Sequence, residues 1–212
     1  MYSYNKLGDN MYPIIGIIMR PSTTESNKDI KYAYDDIIYA VIKSKGIPIC
    51  IPNVNFNNYL DMCDGFILQG GDDIEENNLK IINILKEKNI PLLGICLGMQ
   101  EIAKSYGGTI YDINNHKNNT LHEIIINKDS LLYKILKCHK TLVNSRHNSA
   151  IKDTDLFIGS KSNDNIIESV EDKTKKFLLG LQWHPENMYD IDHNSRKIFD
   201  YFIKVCNDKD NL

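Results

Sequence analysis

The sequence lacks any apolar run long enough to span a bilayer, and its polar opening, Met1–Asn10, has neither the basic start nor the apolar stretch of a secretory signal. A cytoplasmic protein without a membrane partner is therefore expected. Excess charge of one sign is missing too. With 25 Lys and Arg against 28 Asp and Glu the net charge is −3, which offers no footprint for nucleic acid and points to a small-molecule partner. No CxxC pair occurs among Cys50, Cys63, Cys96, Cys138 and Cys206, so neither a disulfide framework nor a zinc knuckle organises the chain. The six histidines contain no HExxH segment and no paired His/Cys spacing, so no metal and no cofactor is expected. Repeats, low-complexity tracts and linkers are absent as well. A length of 212 residues with 42% hydrophobic content then reads as one domain over residues 13–207, preceded by a tail at 1–12.

What is present is an alternation of short apolar runs with amphipathic stretches. Ile14–Met19 reads as a strand, and Tyr32–Ser44 repeats apolar residues at helical spacing until Gly46 stops it at the C′ position. Ile47–Pro52 and Gly65–Gln69 are compact apolar segments, and Gly70-Gly71-Asp72-Asp73 is read as a turn that glycine alone makes easily. Glu75–Lys88 carries Leu79, Ile82 and Leu85 on one face with acidic residues in its first turn, and Asn89 is its cap. Pro91–Ile95 is a buried strand, Cys96 its turn, and Leu97–Tyr106 a helix ended by Gly107–Gly108. This order predicts a mostly parallel sheet with helices on both faces. Glu123–Ile126, Thr141–Asn144, Phe157–Lys161, Ile166–Glu171 and Phe177–Gln182 follow with few helices between them and are read as antiparallel additions; His193–Asn207 is a closing helix.

Within this frame Gly94-Ile95-Cys96-Leu97-Gly98 has the G-x-nucleophile-x-G pattern of a nucleophile elbow, whose small flanking residues permit a strained strand-to-helix turn. The start of the following helix places partial positive charge beside a thiolate, and the Leu97 N–H is aimed at a developing oxyanion. The other four cysteines have no such setting and read as ordinary small side chains. A thiol needs a base and the base an orienter. Gln182-Trp183-His184-Pro185-Glu186 supplies both at the end of an apolar strand, with Pro185 restricting the backbone between them. His116, His122, His139 and His193 stand in polar surroundings and read as solvated.

Four segments together resemble the class I glutamine amidotransferases and, within them, the γ-glutamyl-γ-aminobutyrate hydrolase family of the peptidase C26 type. They are Pro13-Ile14-Ile15-Gly16-Ile17, Gln69-Gly70-Gly71-Asp72-Asp73, Gly94-Ile95-Cys96-Leu97-Gly98-Met99-Gln100 and Gln182-Trp183-His184-Pro185-Glu186. Val143-Asn144-Ser145-Arg146-His147 is similar to the VNSxH segment that lines the substrate pocket in that family. The resemblance implies an α/β three-layer, flavodoxin-like sandwich in which Cys96, His184 and Glu186 are the catalytic residues. It further implies an oxyanion hole from the Gly71 and Leu97 amides, and a glutamyl site built from Gln100, Ser145, Arg146 and His147. Arg146 reads equally well as a solvated surface arginine. The implied reaction is cleavage of a γ-glutamyl amide through a thioester, releasing glutamate. The chain is shorter after Asp73 than members that hydrolyse γ-glutamyl-aminobutyrate, and Leu97 stands where many of them carry arginine, so the leaving amine stays open. Two other readings remain: a glutaminase subunit passing ammonia to a synthase partner, and a binding module without chemistry, against which the complete Cys96, His184 and Glu186 set argues.

Overall fold

A computed structural model describes residues 12–114, 116–117 and 120–208, so all of the expected tail except Tyr12 lies outside the described residues. In chain order the elements are β1 (Ile14–Ile18), β2 (Arg20–Thr23), β3 (Asp29–Tyr32), α1 (Asp35–Lys43), β4 (Ile47–Ile51), β5 (Gly65–Leu68), α2 (Glu76–Glu87), β6 (Leu92–Ile95) and α3 (Leu97–Ser105). There follow β7 (Thr109–Asp112), β8 (Thr120–Ile126), α4 (Leu131–Leu136), β9 (Lys140–Ser145), β10 (Ser149–Asp153), β11 (Phe157–Ser162), β12 (Ile167–Glu171), β13 (Leu178–Leu181), α5 (Pro185–Met188) and α6 (His193–Asn207). No helix among the described residues is long and apolar enough to cross a membrane.

The main sheet has the order β4-β1-β5-β6-β13-β12-β11-β8-β9. Its first five strands are parallel to one another, and the remaining pairs are antiparallel. This is the mostly parallel sheet with antiparallel additions that the alternation of segments predicts. Strand residues alternate between two cores, as the two-residue period of a strand requires. Ile17, Leu93 and Leu179 face α1, α4 and α6 through Ile37, Leu132 and Phe199. Ile18, Leu92 and Leu178 face α2 and α3 through Ile82 and Ile102. Helices therefore cover both faces of the parallel half, and its strands are apolar throughout because neither face meets water.

Several expectations are corrected. The Phe177–Gln182 segment is not simply an antiparallel addition: β13 inserts parallel beside β6, with Gly180 opposite Gly94. Both glycines are demanded by α3, since a Cβ on Gly180 would lie 2.8 Å from Met99 Cγ and one on Gly94 2.5 Å from Ile102 Cδ1. Tyr32 belongs to the β2–β3 hairpin rather than to the first helix, which begins at Asp35 with Asp35 and Asp36 in its first turn. Gly46 is not the left-handed residue that ends α1; Lys45 takes that conformation at φ 69°. Gly46 is small for packing, because a Cβ there would meet Ile203 Cδ1 at 2.6 Å. The hairpin, β7, β10 and α4 carry no strong period and were not anticipated.

Glycines at two positions separate steric from conformational need. A Cβ on Gly98 would collide with the Leu68 carbonyl oxygen, a backbone atom that cannot swing aside, whereas Gly107 has φ 79° and nothing within 4 Å. Gly107→Ala should cost about 1–2 kcal/mol, the strain of a left-handed L-residue. Gly98→Ala should cost more than that or abolish folding, since α3 must lift off the sheet. Urea denaturation of the two variants measures the difference, and a smaller loss for Gly98→Ala would contradict this packing.

Candidate active site

Three neighbouring parallel strands, β5, β6 and β13, deliver their C-terminal ends side by side. The turn Gly70–Gly71 follows β5, Cys96 follows β6, and Gln182–Glu186 follows β13. Strand ends of this kind are where open α/β sheets bind ligands.

Cys96 is the N-cap of α3 and is held at φ 52°, ψ −109°, a conformation that side-chain-bearing residues avoid. Its N–H donates to the Leu181 carbonyl on β13 at 2.7 Å, and its carbonyl accepts from Met99 N at 3.0 Å. The elbow is thus fastened to the strand that carries the histidine. Cys96 is 7% exposed, so its sulfur sits at the floor of the site rather than on an open surface. As the first helical residue, Leu97 has no carbonyl behind it to receive its N–H, which stays available to a ligand oxygen.

His184 Nδ1 stands 2.7 Å from Glu186 Oε1, with both side chains nearly enclosed. Burial pulls the imidazole pKa down, yet the Glu186 carboxylate and the Cys96 thiol outweigh it and lift His184 to about 10, so the imidazolium is the favoured form. The ring and the thiol meet beside Gly70, in hydrogen-bond contact with each other: a Cβ built on Gly70 would be 3.0 Å from His184 Cε1 and 3.5 Å from Cys96 Cβ. A Cβ on Gly71 would press on Arg20 Nε at 3.0 Å and on Leu97 Cδ2 at 3.3 Å. Neither glycine has a positive φ among the backbone outliers. Glycine at this pair serves clearance from neighbouring side chains rather than a left-handed turn, correcting the reading that its turn conformation demands glycine.

Side chains to which the sequence assigns no such supporting role hold this geometry. Asn144 in β9 accepts from His184 N at 2.9 Å and donates to His184 O at 3.1 Å, a reciprocal clamp on the backbone of the histidine. Gln182 directs its Nε2 at Cys96 Sγ, 3.7 Å away, while its Oε1 accepts from Gln100 Nε2 at 3.1 Å. Arg20 is 3% exposed and forms a two-point ion pair with Glu101 at 2.7 and 2.8 Å. It also donates to the carbonyls of Gln69 at 2.8 Å and Gly70 at 3.2 Å. Glu101 in turn accepts from Glu75 N and from Asn78 Nδ2. The segment between β5 and α2 is so pinned at both ends by one buried pair. No local pattern announces a contact between residues 20 and 101, which is why the sequence left it unread.

The expected glutamyl residues divide. Arg146 is exposed, whereas Ser145 and His147 are buried. Ser145 Oγ donates to the His116 carbonyl, and His147 turns its ring nitrogens to the Ser149 carbonyl and toward Glu168. Gln100 spends its amide N–H groups on Ser149 O and Gln182 Oε1. Of the expected segment, Arg146 is the side chain that reaches solvent. Its charge is felt at Tyr34, whose hydroxyl is pushed up to about 12 by burial first, then by Tyr32 and Asp72, with Arg146 acting in the opposite sense. Tyr34, Asp72 and Arg146 therefore lie close enough for their charges to act on one another. His116 and His122 are not solvated as expected, being buried and partly buried, while His139 and His193 are exposed.

The sequence profile of the peptidase C26 family matches residues 13–80 and 75–186. The chain belongs to the peptidase C26 family. Among its relatives are the NtpR protein of Enterococcus hirae, 29% identical over 92% of this chain and 99% of that protein, and the γ-glutamyl-γ-aminobutyrate hydrolase PuuD of Escherichia coli, 26% identical over 92% and 93%. A Thermoplasma acidophilum protein described as part of a GMP synthase has a crystal structure that superposes with a TM-score of 0.73 at 20% identity, covering 93% of this chain and 96% of that one. This peptidase C26 member thus shares the class I glutamine amidotransferase fold and is a glutamine amidotransferase-like hydrolase by family.

The electrostatic origin of the raised His184 pKa is directly testable. Replacing Glu186 by Gln removes the strongest upward pull and leaves burial in place, so the ring pKa must fall toward or below the ordinary 6.5. An NMR titration of the His184 ring in both proteins reads this, and an unchanged pKa in Glu186→Gln would contradict the assignment.

Proposed function

We propose that the protein hydrolyses γ-glutamyl amides, with Cys96 as nucleophile, His184 as acid and base, and Glu186 as the group that orients and charges the imidazole. The observation that carries this reading is the strained Cys96 elbow placed one strand away from a buried, carboxylate-paired histidine whose ring is in hydrogen-bond contact with the thiol.

In the proposed scheme the Cys96 thiolate adds to the γ-carbonyl carbon, and the carbonyl π electrons move to oxygen. The Leu97 and Gly71 amides receive that oxyanion. The C–N bond then breaks as the His184 imidazolium gives its proton to the departing amine, leaving a γ-glutamyl thioester and a neutral imidazole. Neutral His184 next takes a proton from water as its oxygen adds to the thioester carbonyl. Collapse breaks the C–S bond, releases glutamate and restores the thiolate–imidazolium pair. Burial of the site strengthens each of these charge interactions.

The substrate divides into a glutamyl half and an amine half. Arg146, the exposed cation of its segment, is the candidate partner of the glutamyl α-carboxylate. The amine half is assigned to the rim formed by Tyr34, Asp72 and the hairpin, in keeping with the short connection after Asp73. Asn78, at the end of that stretch, is buried in α2 on Glu101 and takes no part in the rim. A second reading, in which the chain supplies ammonia to a separate synthase, is favoured by the likeness to the Thermoplasma acidophilum GMP synthase component.

Glutamate release from glutamine and several γ-glutamyl amides by the purified chain alone tests the proposal. Turnover without a partner, lost on Cys96→Ala with folding retained, is expected; more than a few per cent of residual activity in Cys96→Ala would sink the mechanism. Turnover only when a synthase is added would favour the second reading. Arg146→Ala should lower kcat/KM for every γ-glutamyl compound by a similar factor, worth about 1.5–3 kcal/mol for a hydrogen bond to a charged group. Changes at Tyr34 or Asp72 should reorder the preference among amines. An Arg146 variant that reorders them would show the division to be wrong.

A further inference from the structure

Three histidines and one carboxylate that the proposed turnover does not use converge beside the antiparallel half of the sheet. His116 comes from the β7–β8 connection, His122 from β8, His147 from the turn after β9, and Glu168 from β12. The meeting is possible because β8 outruns β11: their last paired residues are Ile124 and Ser162, and His122 lies two positions beyond.

Around Glu168 Oε1 lie His122 Nε2 at 3.0 Å, His116 Nδ1 at 3.6 Å and His147 Nε2 at 3.9 Å. Ligand atoms of His116, His122 and Glu168 all fall within 4.8 Å of one another. Nitrogen and oxygen donors on a tetrahedral Zn²⁺ at about 2.0–2.1 Å are separated from each other by roughly 3.4 Å, so the observed spacings bracket a coordination sphere.

The hydrogen bonds behind the rings set which atoms face inward. His147 Nδ1 contacts the Ser149 carbonyl at 3.0 Å and must donate to it, so the neutral ring points the lone pair of Nε2 at Glu168. His116 Nε2 contacts Asp164 Oδ2 at 3.1 Å, so a neutral ring that donates there turns the lone pair of Nδ1 inward. Among the described residues, His116 Nδ1, His147 Nε2 and Glu168 Oε2 have no hydrogen-bond partner, and they are buried on residues 5%, 3% and 0% exposed. Lone pairs facing a carboxylate repel it, and buried polar atoms without partners are rare because they are costly. A cation at their centre answers both problems at once. Outer hydrogen bonds from a carboxylate and from a backbone carbonyl are also the usual supports of histidines on a metal.

We propose that His116, His122, His147 and Glu168 form a binding site for a divalent transition-metal ion, with Zn²⁺ the best match to three imidazoles and one carboxylate. All four positions being filled by protein, the site is structural. It joins the β7–β8 connection, β8 and β12 to the turn that carries Arg146. Its link to the thiol is indirect: Glu168 O accepts from Gln182 N at 2.8 Å, and His147 shares the Ser149 carbonyl with Gln100. The site stands independently of the turnover proposed above.

The test uses the full chain, stripped with a chelator and then dialysed against Zn²⁺ or Co²⁺. The expected result is one tightly held Zn²⁺ per chain by elemental analysis, a rise in Tm with Zn²⁺, and visible absorption bands of tetrahedral Co²⁺. His122→Ala and Glu168→Gln should each weaken Zn²⁺ binding by at least on the order of 100-fold, since loss of an outer partner alone costs roughly 10–100-fold. Cys96→Ala and His193→Ala should retain it in full. Absence of bound ion and of Co²⁺ bands in the unaltered chain would overturn the proposal, and that arm does not depend on any variant folding. Loss of the ion in Cys96→Ala with retention in His122→Ala would also overturn it, since the ion would then belong to the thiol.

Discussion

The strained backbone of Cys96 is the constraint on which the rest of this structure depends. A residue at φ 52°, ψ −109° persists only if its surroundings leave no alternative. Here α3 lies so close to the sheet that Gly98 sits on the Leu68 carbonyl and Gly94 on Ile102, and relaxing the turn would pull that contact apart. The strain is thus balanced by the burial of Met99, Ile102 and Ala103 against the sheet. What it achieves is direction: the sulfur leaves the strand at the end where β5 and β13 also finish.

Around that fixed point the protein uses buried polar pairs as struts. The Arg20–Glu101 pair spans the hairpin, the β5–α2 connection and α3, and breaking a pair so enclosed typically costs about 3–5 kcal/mol through the charge left behind. Its geometry explains why it is tolerated, since the Glu101 oxygens accept from Arg20, Asn78 and the Glu75 amide. Asn144 does for His184 what Arg20 does for Gly70, holding backbone rather than substrate. Reactive groups on loops gain their precision from such neighbours.

Much of this was legible in the sequence, and the reasons differ by element. The elbow and the His184-Pro185-Glu186 run are local patterns whose spacing encodes their geometry, and α6 was read at its full extent, His193–Asn207, because its apolar stripe is regular. The place of β13 was not legible, because strand order is a long-range property and a run such as Phe177–Gln182 looks the same at the centre of a sheet or at its edge. Glycines were misread where space rather than φ requires them, as at Gly46 and Gly70–Gly71, since clearance depends on residues far away in sequence. His116 and His122 sit in polar sequence that conceals their burial, and the Val143–His147 segment supplies a clamp at Asn144 and a buried ring at His147 alongside one exposed cation.

The central claim is that Cys96 carries the glutamyl group during turnover. It is tested most directly by mixing the protein with a γ-glutamyl amide, quenching with acid before the thioester hydrolyses, and mapping the modified peptide by mass spectrometry. The account predicts a single added glutamyl unit on the peptide containing Cys96, absent from His184→Ala, in which nothing protonates the leaving amine. Turnover with no adduct at Cys96, or with an adduct on Cys50, Cys63, Cys138 or Cys206 instead, would contradict it.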